Sequence, residues 1–379
     1  MKNVYFIFAI AFLMTVVIAS GCRGPEGPAG PPGETTVVNL EGFAEGINCG
    51  NCHNPDQDTT YFVWAKKYQW DLSKHAYGGD FERNSSTCAG CHTTEGFVKR
   101  MNGLAVTNQV DSSPPGCFAC HAPHARGNFS PRNVAPVTIA SNIEGVPDAL
   151  FDYGKGNLCA QCHMTRSMSP KPNPTKSAVT DTITITNNRW YSHYGVQGQI
   201  LMGEGGFKFT GYTYTGNSFH TTSTVIKQEG CTACHMADAT AGSGIAGGHT
   251  MNIRYGTNSS LLTGCNQSGC HANINTIDYN GVQTTVHAYL DTLQTMMLDT
   301  AVVNKFNAGA KKAWITVSGE SVTINASSGS PLKIVPASRS GALYNFLLVE
   351  HDLSQGVHNS KYVVELLKSS VAELRKPKL

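Results

Sequence analysis

The chain has 379 residues, 28 Lys and Arg against 26 Asp and Glu, and a formal net charge of +2. So small a charge supplies no long-range attraction for nucleic acid, and that class of partner is excluded. Only 14% of residues are charged, whereas 39 are glycine and 13 cysteine; a length that ordinarily builds about two independent cores is here rich in turns and thiols.

At the N-terminus Lys2 precedes an apolar run from Val4 to Ile18. The run is short for a membrane span and reads as a cleaved export signal over residues 1–21. Ala19-Ser20-Gly21-Cys22 resembles a bacterial lipobox, with Ala19 where a larger aliphatic is usual. It implies acylation of Cys22, and Arg23 behind it implies sorting to the outer membrane; ordinary secretion with a spare Cys22 is the alternative. Residues 22–40 then form a Gly/Pro-rich linker, whose collagen-like triplets at 24–33 are too few for a triple helix and serve as an extended spacer.

The body opens with a pattern that repeats. Cys-x-x-Cys-His occurs at Cys49/Cys52/His53, Cys88/Cys91/His92, Cys117/Cys120/His121, Cys159/Cys162/His163 and Cys231/Cys234/His235, and a looser copy, with four residues between its thiols, at Cys265/Cys270/His271. Each reads as a c-type haem attachment site, in which two thiols form thioethers to the macrocycle and the adjacent imidazole binds iron. Together with Cys22 the motifs account for every cysteine. A disulfide framework or paired zinc knuckles would use the thiols, but neither explains a histidine after every second cysteine. Six covalently attached haem c groups are expected.

With six motifs between residues 49 and 271, each haem has few residues of its own. The spacing predicts a hexahaem domain over 41–280 with short helices at the motifs, long loops and little sheet. Period-two alternation marks strands at Asp181–Thr186 and in a hairpin of Trp314–Ser318 with Ser321–Asn325. Apolar residues then recur at helical spacing over Val286–Val303, Gly341–His351 and Ser360–Leu374, with Asn359 or Ser360 as N-cap, which predicts a mainly helical C-terminal subdomain over 281–379.

Fourteen histidines less the six in the motifs leave His75, His124, His193, His220, His249, His287, His351 and His358. That is enough to give every iron a second imidazole. His124 follows His121 by three residues and cannot reach over the same macrocycle, so its natural role is at a neighbouring haem. His75, His220 and His249 lie in loops able to fold over a ring, and the bland reading of each is a surface histidine. Met164 and Met236 follow motif histidines directly and read as packing residues.

Four segments resemble exported bacterial multihaem c-type cytochromes: Cys117-Phe-Ala-Cys-His-Ala-Pro-His124, Ser192-His193-Tyr194-Gly195-Val196-Gln197, Gly247-Gly248-His249-Thr250 and Gly356-Val357-His358-Asn359. The last resembles the C-terminal helical region of the multihaem nitrite reductase and octahaem reductase lineage. The resemblance implies a mostly irregular and α-helical multihaem cytochrome c fold wrapped around a haem array, with His75, His124, His193, His220, His249 and His358 as second axial ligands. His287 and His351 are left as surface residues. Unlike the nitrite reductases, the chain has no Cys-x-x-Cys-Lys, which speaks against their chemistry.

The expected function is electron transfer along bis-histidine haems, in an exported outer-membrane lipoprotein facing the periplasm or cell surface. Its partners would be other cytochromes, an outer-membrane conduit, a mineral or a soluble shuttle, besides the membrane that holds the lipid. Two alternatives stand beside this: a reductase of small nitrogen or sulfur oxyanions with one open haem, its substrate face lined by groups such as Arg166, Lys208 or Tyr212, and a subunit of an extracellular cytochrome filament.

Overall fold

The computed structural model describes residues 47–78, 81–238, 245–255 and 259–377. The export signal, Cys22 and the linker lie outside the described residues. Each regular motif closes on itself, because the backbone N–H of its histidine donates to the carbonyl of its first cysteine. The distances are 2.8 Å for His53 on Cys49, 3.2 Å for His92 on Cys88, 2.8 Å for His121 on Cys117, 2.9 Å for His163 on Cys159 and 3.0 Å for His235 on Cys231. These are single helical turns (Gly50–His53, Ala89–His92, Cys117–Cys120, Gly156–Ala160, Thr232–His235). Positions i, i+3 and i+4 share one helix face, so two thiols and an imidazole emerge together. The sixth motif forms no helix, yet His271 still donates to the Cys265 carbonyl at 3.0 Å. Its wider loop is shaped by the Gln267 amide, which donates to the carbonyls of Gly264 (2.7 Å) and Ala233 (3.3 Å).

Helices dominate the C-terminal part. Helix α1 (Val282–Leu298) buries Val286, Leu290, Leu293 and Met297, the spacing of one face. It stops at Asp299, whose carboxylate caps the short helix Thr300–Val303 through the Ala301 N–H at 2.7 Å; the segment expected as one helix over 286–303 is thus two. Helix α2 (Ser340–Asp352) is buried on nearly every side, and α3 (Ser360–Arg375), capped by the Asn359 side chain, packs against both α1 and α2. Sheet is confined to short antiparallel pairs. Strand β1 (Ile183–Ile185) turns its isoleucines inward and pairs with β4 (Leu332–Ile334), while β2 (Ile315–Ser318) and β3 (Ser321–Ile324) form the expected hairpin.

One large apolar core joins these helices to residues far upstream: Ile143, Met168, Trp190, Val196, Ile200, Phe207 and Phe209 pack with Leu343, Phe346, Leu347, Leu366 and Leu367. Burying each Leu, Ile or Phe contributes about 1.5–3 kcal/mol, so the segment carrying His193 and Gln197 is held from behind by the C-terminal helices. Polar bonds fix its register. Asn345 accepts from the Phe207 N–H (2.7 Å) and donates to the Phe207 carbonyl (2.9 Å), and Tyr362 Oη accepts from the Gly206 N–H (2.8 Å). By contrast, the described residues from 47 to 130 bury few apolar side chains, namely Ala89, Phe97, Ala119 and Ala122. Among the described residues no helix is long and apolar enough to cross a membrane.

Candidate functional site

None of the twelve motif cysteines is in a disulfide. What the fold does with the histidines is specific: each motif imidazole faces one imidazole from outside the motifs. His193 and His358 come from loops, but His75, His124 and His220 sit on single helical turns (Lys74–Tyr77, Pro123–Arg126, Phe219–Thr222) and His249 on a 3-10 turn, so the segments expected as loops for His75, His220 and His249 are short helical turns. The ring centroids are 6.2 Å apart for His53 and His124 (site I), 6.1 Å for His92 and His193 (site II), 6.2 Å for His121 and His249 (site III), 6.2 Å for His163 and His75 (site IV), 6.3 Å for His235 and His358 (site V) and 6.0 Å for His271 and His220 (site VI). No ring is used twice. With a metal–nitrogen bond of about 2.0–2.1 Å and about 1.1 Å from ring nitrogen to ring centroid, two imidazoles on opposite sides of one ion sit roughly 6.3 Å apart. The residues present would therefore fit a haem iron between each pair, with the motif thiols as the groups that would bond the macrocycle. Among the described residues no group of three or more His, Cys, Asp or Glu side chains forms a bare-ion site, which is the arrangement a zinc knuckle would need.

Second contacts orient these rings. Nδ1–H donates to the Ser130 carbonyl from His121 (3.3 Å), to Gln197 Oε1 from His163 (3.1 Å), to the Val357 carbonyl from His220 (2.8 Å) and to the Met251 carbonyl from His235 (3.0 Å). His75 Nδ1 lies 3.1 Å from Met251 Sδ, and His358 Nδ1 donates to Asp352 Oδ1 at 2.7 Å. A partner on Nδ1 leaves Nε2 for a metal and fixes the ring plane. Burial lowers the pKa of His75 and of His249 to about 4, which keeps both rings neutral with a lone pair to offer. At His358 burial works against the charged form, but the Asp352 carboxylate outweighs it and the pKa is raised.

The segments that deliver the second histidines are tightly specified. His193 has φ +69°, a left-handed backbone that costs a non-glycine residue about 1–2 kcal/mol. It lets Ser192 turn inward to Asn142 and Tyr344 while His193 turns out toward His92. Met251, with φ +56°, is strained likewise and serves sites IV and V at once. In the Gly-Gly-His turn a Cβ on Gly248 would stand 2.5 Å from Gln69 Oε1, the atom that accepts the His249 N–H at 3.0 Å. Gly356, at φ +91° against Val286, sets up His358 in the same way.

The sites have an order in space. Site I adjoins site III, since His124 follows His121 in one segment. Sites II and IV meet where Cys162 Sγ lies 3.8 Å from the Cys91 carbonyl, and the Arg100 guanidinium contacts Cys91 Sγ (3.3 Å), Cys162 Sγ (3.8 Å) and the Gln161 carbonyl (2.7 Å). Asn157, ahead of motif four, donates to the Val134 carbonyl behind motif three at 2.9 Å, and Cys120 is within electrostatic range of Cys159. The chain ahead of motif four meets the chain ahead of motif five where the Lys155 N–H donates to the Gln228 carbonyl at 3.0 Å, which joins IV to V. Gln267 on the Ala233 carbonyl joins V to VI.

His287 is exposed, as expected. His351 is not the surface residue the sequence suggested: it is 8% exposed, packed by Tyr191 and Tyr194 at 4.8 and 4.4 Å between centroids. The apolar run of α2 carries it inward with the rest of the helix. Met164 packs on a small core around Phe151 and Ile226. Arg166 reaches the Thr87 carbonyl beside motif two, while Lys208 pairs with Glu204 and Tyr212 packs near the C-terminal helices, so these three stand on different elements. Sequence reasoning missed Asp352, Met251 and Ser130, whose positions depend on backbone contacts with no motif of their own.

No family model matches the chain, and no curated protein does. A solved structure, that of the outer cell wall cytochrome OcwA, is similar over 82% of this chain and 50% of that one, at 17% identity and a TM-score of 0.43. The chain thus spans about half the length of that protein.

Proposed function

We propose that the protein is an exported hexahaem c-type cytochrome that transfers electrons. The observation that carries this is the set of six histidine pairs at 6.0–6.3 Å, each uniting one motif histidine with one histidine from outside the motifs. Haem bound at these sites supplies a ferric/ferrous couple and a conjugated ring. Twelve cysteines hold it: Cys49, Cys52, Cys88, Cys91, Cys117, Cys120, Cys159, Cys162, Cys231, Cys234, Cys265 and Cys270. The motif histidines and His75, His124, His193, His220, His249 and His358 supply two imidazoles at each site. With both axial positions taken, inner-sphere substrate chemistry has no open coordination site, and this favours electron transfer over reduction of an oxyanion. The meagre apolar interior between residues 47 and 130 also fits a region whose core is completed by macrocycles.

We further propose that Cys22 is acylated and anchors the protein at the outer membrane, where it meets a partner cytochrome, a mineral or a soluble shuttle. The test of the haem reading is the intact mass after acid extraction together with the spin state of the oxidised protein. Six retained haems, all low-spin, are expected; five haems, or one high-spin iron in the wild type, would overturn it. For the anchor, Cys22→Ala should move the protein from the membrane to the soluble fraction.

A further inference from the structure

Four of the ring nitrogens described above donate to neutral oxygens, those of Ser130, Gln197, Val357 and Met251. His358 instead meets a carboxylate. Asp352 closes α2 with 2% exposure, and among the described residues no lysine or arginine pairs with it. Its charge is shared with the Ser354 hydroxyl, which donates to Oδ2, and with the His358 ring. It is also within electrostatic range of His235, the other imidazole of site V. A buried carboxylate on Nδ1–H makes the imidazole a more basic ligand. A more basic ligand beside an uncompensated negative charge stabilises ferric over ferrous iron.

We propose that Asp352 is a positioning residue that lowers the redox potential of site V. The inference rests on the reading of His358 as an axial ligand. Site V lies between sites IV and VI, so its lowered potential sets the redox state of site VI apart from that of the other sites.

The test is potentiometric reduction of the haem-loaded full chain, followed optically. Asp352→Asn removes the charge while keeping a hydrogen-bonding group, and should raise one of the six one-electron transitions, leaving the others in place apart from small neighbour effects. Ser354→Ala removes a donor that disperses the charge and should move the same transition down. Opposite signs from the two variants are not what a loss of structure would give. Coincidence of the Asp352→Asn and wild-type curves, or an equal shift of all six transitions, would overturn the inference. If Asp352→Asn does not accumulate, Ser354→Ala decides alone: a downward shift of one transition supports the inference, and no shift or an upward one overturns it. The underlying reading fails separately, if His358→Ala leaves every iron low-spin.

Discussion

The thiol of Cys162 lies 3.8 Å from the carbonyl of Cys91, although 71 residues separate them in the chain. That contact brings motifs two and four together, and motif four also adjoins motifs three and five. With haem bound at these sites as proposed, an electron on one iron would make reduction of its neighbour harder, and the potentials would belong to the array. Replacing Cys88 and Cys91 by alanine should remove one transition and shift one or more of the rest upward. Five transitions identical to those of the wild type would show that site II stands apart.

His358→Ala and His351→Ala separate ligation from burial, because both histidines are largely enclosed in the C-terminal region. The first should leave site V with one imidazole, giving one high-spin iron that binds carbon monoxide. The second should leave six low-spin irons, with some loss of stability from the packing against Tyr191 and Tyr194. Optical and magnetic spectra of the two oxidised variants read the difference directly.

The ring planes divide the sites into two classes. Interplanar angles are 17°, 37° and 41° at sites I, III and V, and 73°, 84° and 87° at sites II, IV and VI. Crossed imidazole planes leave two iron d orbitals close in energy and aligned planes split them. Electron paramagnetic resonance of the oxidised protein should therefore show both strongly anisotropic and rhombic low-spin signals. A single class of signal would mean that the second contacts do not hold the rings as described.

Stability rests partly on an ion pair far from the sites. Arg339, 6% exposed, pairs with Glu373, 2% exposed, and Lys376 adds a bond to Glu373 at 2.6 Å. Removing one partner of such a pair leaves a buried charge alone, so Glu373→Gln should cost about 3–5 kcal/mol. The denaturation midpoint should fall without loss of haem, and an unchanged midpoint would place the pair in solvent.

The helical spacing of Leu290, Leu293 and Met297 and the alternation around Gly319 were legible because a helix face and a hairpin are local patterns, repeated within a few residues. The same holds for the motifs, where one turn of chain brings two thiols and an imidazole together, and even Cys265 to His271 reaches the same closing bond by a wider loop. The candidate second histidines were legible only as a set.

Their pairing was decided by the tertiary structure. His75 lies near motif two in sequence but faces His163 of motif four; His220 precedes motif five but faces His271 of motif six; His249 follows motif five but faces His121 of motif three. On the proposed reading a macrocycle against one motif would block the same short segment from reaching its far side, so the second imidazole would come from chain that the fold brings round. The sequence by itself determined the six motifs and the set of histidines outside them. Which histidine faces which, the burial of His351 and the carboxylate behind His358 came from packing of α2 and its loops against distant segments, a contact energy that no local pattern encodes.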